Sequence, residues 1–114
     1  MSDDLASKHC KPCEGGTEPL SPDQVESLLK ALHDDWTASE DGKSISRRFK
    51  FKVYSRTLGF ANAVAWIAIT EDHHPELVVN YGTCDVSWST HAIDGLSDND
   101  FICAAKVDRL VADD

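Results

Sequence analysis

The stretch SRTLGFANAVAWIAITEDHHPELVVNYGTCDVSW, Ser55 to Trp88, decides the architecture. In its first half Leu58, Ala61, Val64, Ala65, Ala68 and Ile69 recur at three- and four-residue intervals, and Phe60, Trp66 and Ile67 widen the apolar face. That spacing predicts a long helix over 55–72. Pro75 must fall beyond its end, because the residue before a proline avoids helical geometry. In the second half Leu77, Val79 and Tyr81 alternate, Gly82-Thr83 interrupts, and Cys84, Val86 and Trp88 alternate again. This is the pattern of a β-hairpin.

Upstream, Ile45, Phe49 and Phe51 alternate with polar residues, Arg47 being the polar exception. A half-buried strand follows, paired with 36–40 across an Asp41-Gly42 turn. Before it, Ser21-Pro22-Asp23-Gln24 combines an N-cap serine, a proline at N1 and glutamine at N3. Val25, Leu28, Leu29 and Leu32 then mark a helix ending near His33. Downstream, Ser97 caps a last helix with Asp98 and Asp100 in its first turn. The order is α-β-β-α-β-β-α. It predicts an α+β fold, a four-stranded antiparallel sheet covered by helices on one face. Residues 21–114 form the domain. Residues 1–20, polar and without periodicity, read as a flexible N-terminal arm.

At 114 residues there is room for one core. Twenty acidic residues against 11 basic ones leave a formal net charge of −9, which argues against nucleic acid or an anionic membrane as partner. The longest apolar run, Phe60 to Ile69, is ten residues, and a spanning helix needs about 20. The acidic N-terminus lacks the pattern of a secretory signal, so the expectation is a cytoplasmic protein with reduced thiols.

The chemistry gathers in Asp72-His73-His74-Pro75 and His91. A hairpin centred between Gly82 and Thr83 sets His91 opposite position 74 and brings three imidazoles to one end of the sheet. Three readings stand at this point: structural histidines, a three-histidine zinc site, and metal-free acid–base catalysis. Adjacent histidines diverge, which disfavours zinc.

His73-His74-Pro75-Glu76, Tyr81, Ser89-Thr90-His91, Gly95-Leu96-Ser97 and Asp100 together resemble the motif of the pterin-4a-carbinolamine dehydratases, over roughly residues 21–112. The resemblance implies dehydration of 4a-hydroxytetrahydropterin, left by aromatic amino-acid hydroxylases, to quinonoid dihydropterin and water, in tetrahydrobiopterin recycling. No metal or organic cofactor is implied. Of the catalytic set His73, His74 and His91, it implies that His73 and His91 are the acid–base pair and that His74 contacts the pterin. Ser89 and Thr90 offer main-chain hydrogen bonds to the pterin edge, and Asp100 either orients His91 or caps the last helix. Many members carry an acidic residue where Ile69 stands here, so Glu71 and Asp72 are the candidates to replace it beside the histidines. Family members also serve as dimerization cofactors of a homeodomain transcription factor or as assembly factors, so the alternative to an enzyme is a non-catalytic binding module.

His9-Cys10-Lys11-Pro12-Cys13 holds a lone CxxC, read as part of the mobile arm without metal. Cys84 and Cys103 read as buried apolar residues, and Trp36, Trp66 and Trp88 as core or interface. A helix 55–72 apolar on nearly every side predicts a homodimer or homotetramer.

Overall fold

The computed structural model describes residues 5–12 and 17–112. Helix α1 spans Pro22–Leu29. The Gln24 N–H donates to Ser21 Oγ at 3.3 Å, and the Ser21 N–H donates to Gln24 Oε1 at 2.8 Å, a reciprocal box at its start. It ends sooner than its apolar stripe, because Ala31 and Leu32 donate to carbonyls only three residues back. That tightened turn still delivers Leu32 to the core. Strands β1 (Thr37–Ala38) and β2 (Ile45–Lys50) follow, joined by a turn in which Gly42 takes a φ of +70°. Helix α2 covers Tyr54–Glu71 and buries Thr57, Phe60, Ala61, Val64 and Ala68. Strands β3 (Glu76–Val79) and β4 (Thr83–Trp88) form the second hairpin, and helix α3 runs Asp98–Arg109.

The element order matches the sequence pattern. The sheet is antiparallel throughout, in the order β1-β2-β4-β3. Its period-two alternation sorts side chains by face. Ile45, Phe49, Cys84, Val86 and Trp88 are buried, with Ile45 opposite Trp88 and Phe49 opposite Cys84. On the other face Arg48 grips its cross-strand neighbour Asp85 at 2.7 and 3.1 Å. Phe60 packs its ring 4.5 Å from Phe49 and 5.2 Å from Phe51. Burying one such ring is worth about 1.5–3 kcal/mol. Helix α3 is the most enclosed element, with Phe101 to Ala105 and Val107 all buried.

Arg47, the polar exception of β2, belongs to the inner face. Its Nη1 donates to Asp108 Oδ1 at 2.7 Å, Trp36 Nε1 donates to the same oxygen at 2.8 Å, and the His33 N–H donates to Oδ2. One carboxylate on α3 thus ties down β2 and the α1–β1 link. Trp36 and Trp88 lie in the core, whereas Trp66 is 66% exposed.

Two expectations need revision. The β3–β4 register pairs Glu76 with Ser87 and Val79 with Cys84, so position 74 faces 89 rather than His91. The slip is two residues, which preserves the face each side chain occupies. Residues 5–12 of the N-terminal arm are laid against the body: Leu5 and Ala6 are buried in the core cluster. Two adjacent apolar residues in a polar stretch give no periodic signal. Cys13 lies outside the described residues.

Candidate active site

The end of α2 aims the first histidine. Asp72 adopts left-handed geometry (φ 52°, ψ 45°), its N–H donates to Ile69 O, and the His73 N–H donates to Ala68 O. This pair of bonds closes a helix in the Schellman manner and turns the chain sharply. The His73 ring, 12% exposed, stacks on Trp88 at 5.5 Å and 6°. Its Nε2 lies 2.6 Å from Asp100 Oδ1.

Asp100 is fully buried in the first turn of α3, where the helix dipole favours a carboxylate. Its Oδ2 accepts from Thr90 Oγ1 at 2.8 Å and from the Ser97 N–H at 3.0 Å. Both oxygens are therefore engaged, as a buried charge requires. Of the two roles open for Asp100, the helix-start bond to Ser97 is present, and the imidazole it holds is His73, not His91.

His91 opens a short 3₁₀ turn, His91–Ile93, just past β4, and is exposed, as is His74. Despite the register slip, His73, His74 and His91 line a single cleft of about 690 Å³, together with Asp72 and Ser89. Thr90 also lines this cleft, with its main-chain groups already engaged. Its N–H donates to Gly95 O, and its carbonyl accepts from Ile93 and Gly95. Its hydroxyl backs the carboxylate of Asp100 instead.

The arm supplies the opposite wall through His9, Cys10, Lys11 and Pro12. Glu71, a candidate partner for the histidines, faces this arm. It accepts the Cys10 N–H at 2.7 Å, lies 2.9 Å from His9 Nδ1, and sits 3.7 Å from Lys106 Nζ. Burial pushes its carboxyl up, but the Cys10 amide, His9 and Lys106 outweigh that and hold it below the usual range. No sequence signal marks these residues as site components, since the arm and α2 are 61 residues apart.

One imidazole fixed by a buried carboxylate and two exposed imidazoles lining the same cleft are equipped for proton transfer in both directions. Among the described residues no group of three or more His, Cys, Asp or Glu side chains is arranged to hold a metal ion. No helix among them is long and apolar enough to cross a membrane.

Residues 18–110 match the family model for pterin 4 alpha carbinolamine dehydratase. A protein of Nitrosomonas eutropha, provisionally named a pterin-4-alpha-carbinolamine dehydratase, is 55% identical over 95% of this chain and 94% of its own. A Legionella pneumophila protein of the same provisional name is 50% identical over 99% and 100%. A crystal structure described as a transcriptional coactivator/pterin dehydratase from Brucella melitensis superposes with a TM-score of 0.77 at 33% identity, covering 82% of this chain and 98% of that one. A pterin dehydratase-like protein identified as a RuBisCO assembly factor in the alpha-carboxysome shares the fold, with a TM-score of 0.62 at 22% identity over 72% and 95%.

Proposed function

The chain belongs to the pterin 4 alpha carbinolamine dehydratase family, and on that premise we propose that it dehydrates 4a-hydroxytetrahydropterin to quinonoid dihydropterin and water by histidine acid–base catalysis. The observation that carries the proposal is the cleft holding His73, His74 and His91, with His73 bound to buried Asp100. The 4a-hydroxyl must gain a proton to leave as water, and N5 of the pterin must lose one. Asp100 accepts the His73 Nε2–H and so leaves Nδ1 as the nitrogen able to exchange a proton. His91, exposed on a different element, is the complementary acid or base. His74 contacts the pterin, and Ser89 and Asp72 border it.

The reaction joins the chain to an aromatic amino-acid hydroxylase in tetrahydrobiopterin recycling, in the cytoplasm, as a homo-oligomer. The non-catalytic alternative leaves the full histidine set and its buried carboxylate without a use. Dehydration of freshly generated 4a-hydroxytetrahydropterin, followed against the uncatalysed rate before and after exhaustive chelation, tests the proposal. Acceleration that survives chelation supports it. A rate equal to the uncatalysed one, with folded protein, sinks it.

A further inference from the structure

The first cysteine of the arm has no part in the chemistry above, yet it is not left in solvent. Cys10 Sγ lies 3.4 Å from Cys103 Sγ and 3.7 Å from Asn99 O. Cys103 is fully buried in α3, and Cys10 is partly exposed on the arm. Backbone anchors on both sides hold the two thiols together. The Cys10 N–H is bound by Glu71, Lys106 Nζ donates to Ala6 O at 2.8 Å, and Lys11 exchanges two hydrogen bonds with the Asn99 side chain, at 3.0 and 2.6 Å. Both partners of Cys10 and Lys11 on this side, Asn99 and Cys103, belong to α3.

We propose that Cys10 and Cys103 form a reversible thiol-oxidation site whose disulfide fixes the arm as a wall of the histidine cleft. A disulfide bond is about 2.05 Å long, so a movement of little more than an ångström closes the pair. The oxidant is a small disulfide such as oxidised glutathione. The Cys10 thiolate, the one within reach of solvent, attacks one of its sulfurs. The disulfide bond breaks, and its electron pair leaves with the first glutathione, which takes up a proton. Cys103 then gives up its proton and attacks Cys10 Sγ, forming the internal bond and expelling the second glutathione. Two protein thiols are oxidised and one small disulfide is reduced to two thiols. The hydrogen bond to Cys10, and then burial, push the Cys103 thiol up; once Cys10 is in the mixed disulfide, burial is what still opposes loss of the Cys103 proton. In a reducing compartment the pair stays as thiols, and the arm rests on its hydrogen bonds and the burial of Leu5 and Ala6.

The site is independent of what the cleft binds, so its test does not read catalysis. The full chain is incubated with oxidised glutathione, alkylated, and mapped by mass spectrometry without reduction, while amide exchange is followed at residues 9–11. The expected product is one internal Cys10–Cys103 link, with exchange at those amides slowed at least ~10-fold and restored by dithiothreitol. Cys13→Ser should behave as wild type. Cys10→Ser, which leaves the core intact, should form no link and show no exchange response to oxidant. A Cys10–Cys13 link, a stable glutathione adduct on Cys10 with Cys103 still reduced, or equal exchange in both redox states overturns the proposal. So does about one zinc per chain that is lost in Cys10→Ser.

Discussion

Asp100 is the residue on which the proposed chemistry turns. Asn at this position keeps the shape but presents an NH₂ to donors that now meet a carboxylate oxygen: the Thr90 hydroxyl, the Ser97 N–H or the His73 Nε2–H. A buried donor left unmatched costs about 1–3 kcal/mol. Asp100→Asn should therefore lower stability by about that amount. It should also lower kcat, and the ¹⁵N spectrum should lose the fixed Nε2–H tautomer of His73, a change that a purely structural defect would not produce. His73→Ala and His91→Ala should reduce kcat by about 10²–10⁴-fold. His74→Ala should mainly raise KM. Unchanged kcat in the first two, measured on folded protein, removes both from proton transfer. That the three histidines share a cleft was legible, because the hairpin pattern brings His91 back toward His73 and His74; the role proposed for them came from the family resemblance. The pairing of His73 with Asp100 was not legible, because the two lie 27 residues apart, one just past the end of α2 and the other in α3, and no spacing rule joins them. Ile69 leaves no carboxylate one turn before His73, and only the packing of α3 shows that Asp100 is the carboxylate this imidazole meets.

At the level of elements, two segment ends decide the shape of the cleft. Asp72 holds a left-handed conformation that costs an ordinary residue roughly 1–2 kcal/mol and glycine almost nothing. Asp72→Gly should leave the denaturation midpoint unchanged or slightly raised, and Asp72→Val should lower it. If Asp72→Gly also leaves KM unaltered, the residue shapes the turn and does not bind substrate. The arm is the second such end. The Glu71 carboxyl is held below its ordinary value when the arm is docked. Docking thus favours the ionised form, its contribution is complete above the undocked pKa, and it fades as pH falls through the lower docked one. His9 is largely exposed and adds little. Amide protection at residues 9–11 should hold at neutral pH and collapse in acid below the usual carboxylate range. Glu71→Gln should reproduce the loss at neutral pH. Protection that persists in the mutant would assign the docking to the Lys11–Asn99 and Lys106–Ala6 hydrogen bonds and to the burial of Leu5 and Ala6. Helices and strands were readable here because each repeats a period over many residues. The docked arm was not, since its attachment is one carboxylate, a few scattered hydrogen bonds and two buried apolar side chains reaching across the chain.

For the whole molecule, the unresolved account is one of surface. Helix α2 spends Phe60, Ala61, Val64 and Ala68 on the core, yet its opposite side still shows Leu58 at 40%, Trp66 at 66% and Ile69 at 69% exposure. Spacings of eight and three place these three near one another along the outer face. Strand β3, at the edge of the sheet, exposes Val78 and Val79, and Tyr81 just beyond it is two-thirds exposed and stacked on Tyr54. An open strand edge beside apolar side chains invites pairing with another copy. Magnitudes decide how much of this surface must take part. Burying one large apolar side chain yields about 1.5–3 kcal/mol, while association costs about 4–15 kcal/mol. Scaled by their exposure, Trp66 from two copies yields about 2–4 kcal/mol, at best the low end of that cost, whereas Leu58, Trp66 and Ile69 from each yield about 5–10 kcal/mol, within its range, with β3 edges adding main-chain bonds. The expected state is a dimer or tetramer, with light scattering giving two or four times 12.6 kDa and a melting temperature that rises with protein concentration. Trp66→Glu, at a position the fold leaves outside its core, should lower the oligomer size without unfolding the chain. Wild-type protein that scatters as a monomer at micromolar concentration would show that α2 keeps its apolar outer face for some other purpose.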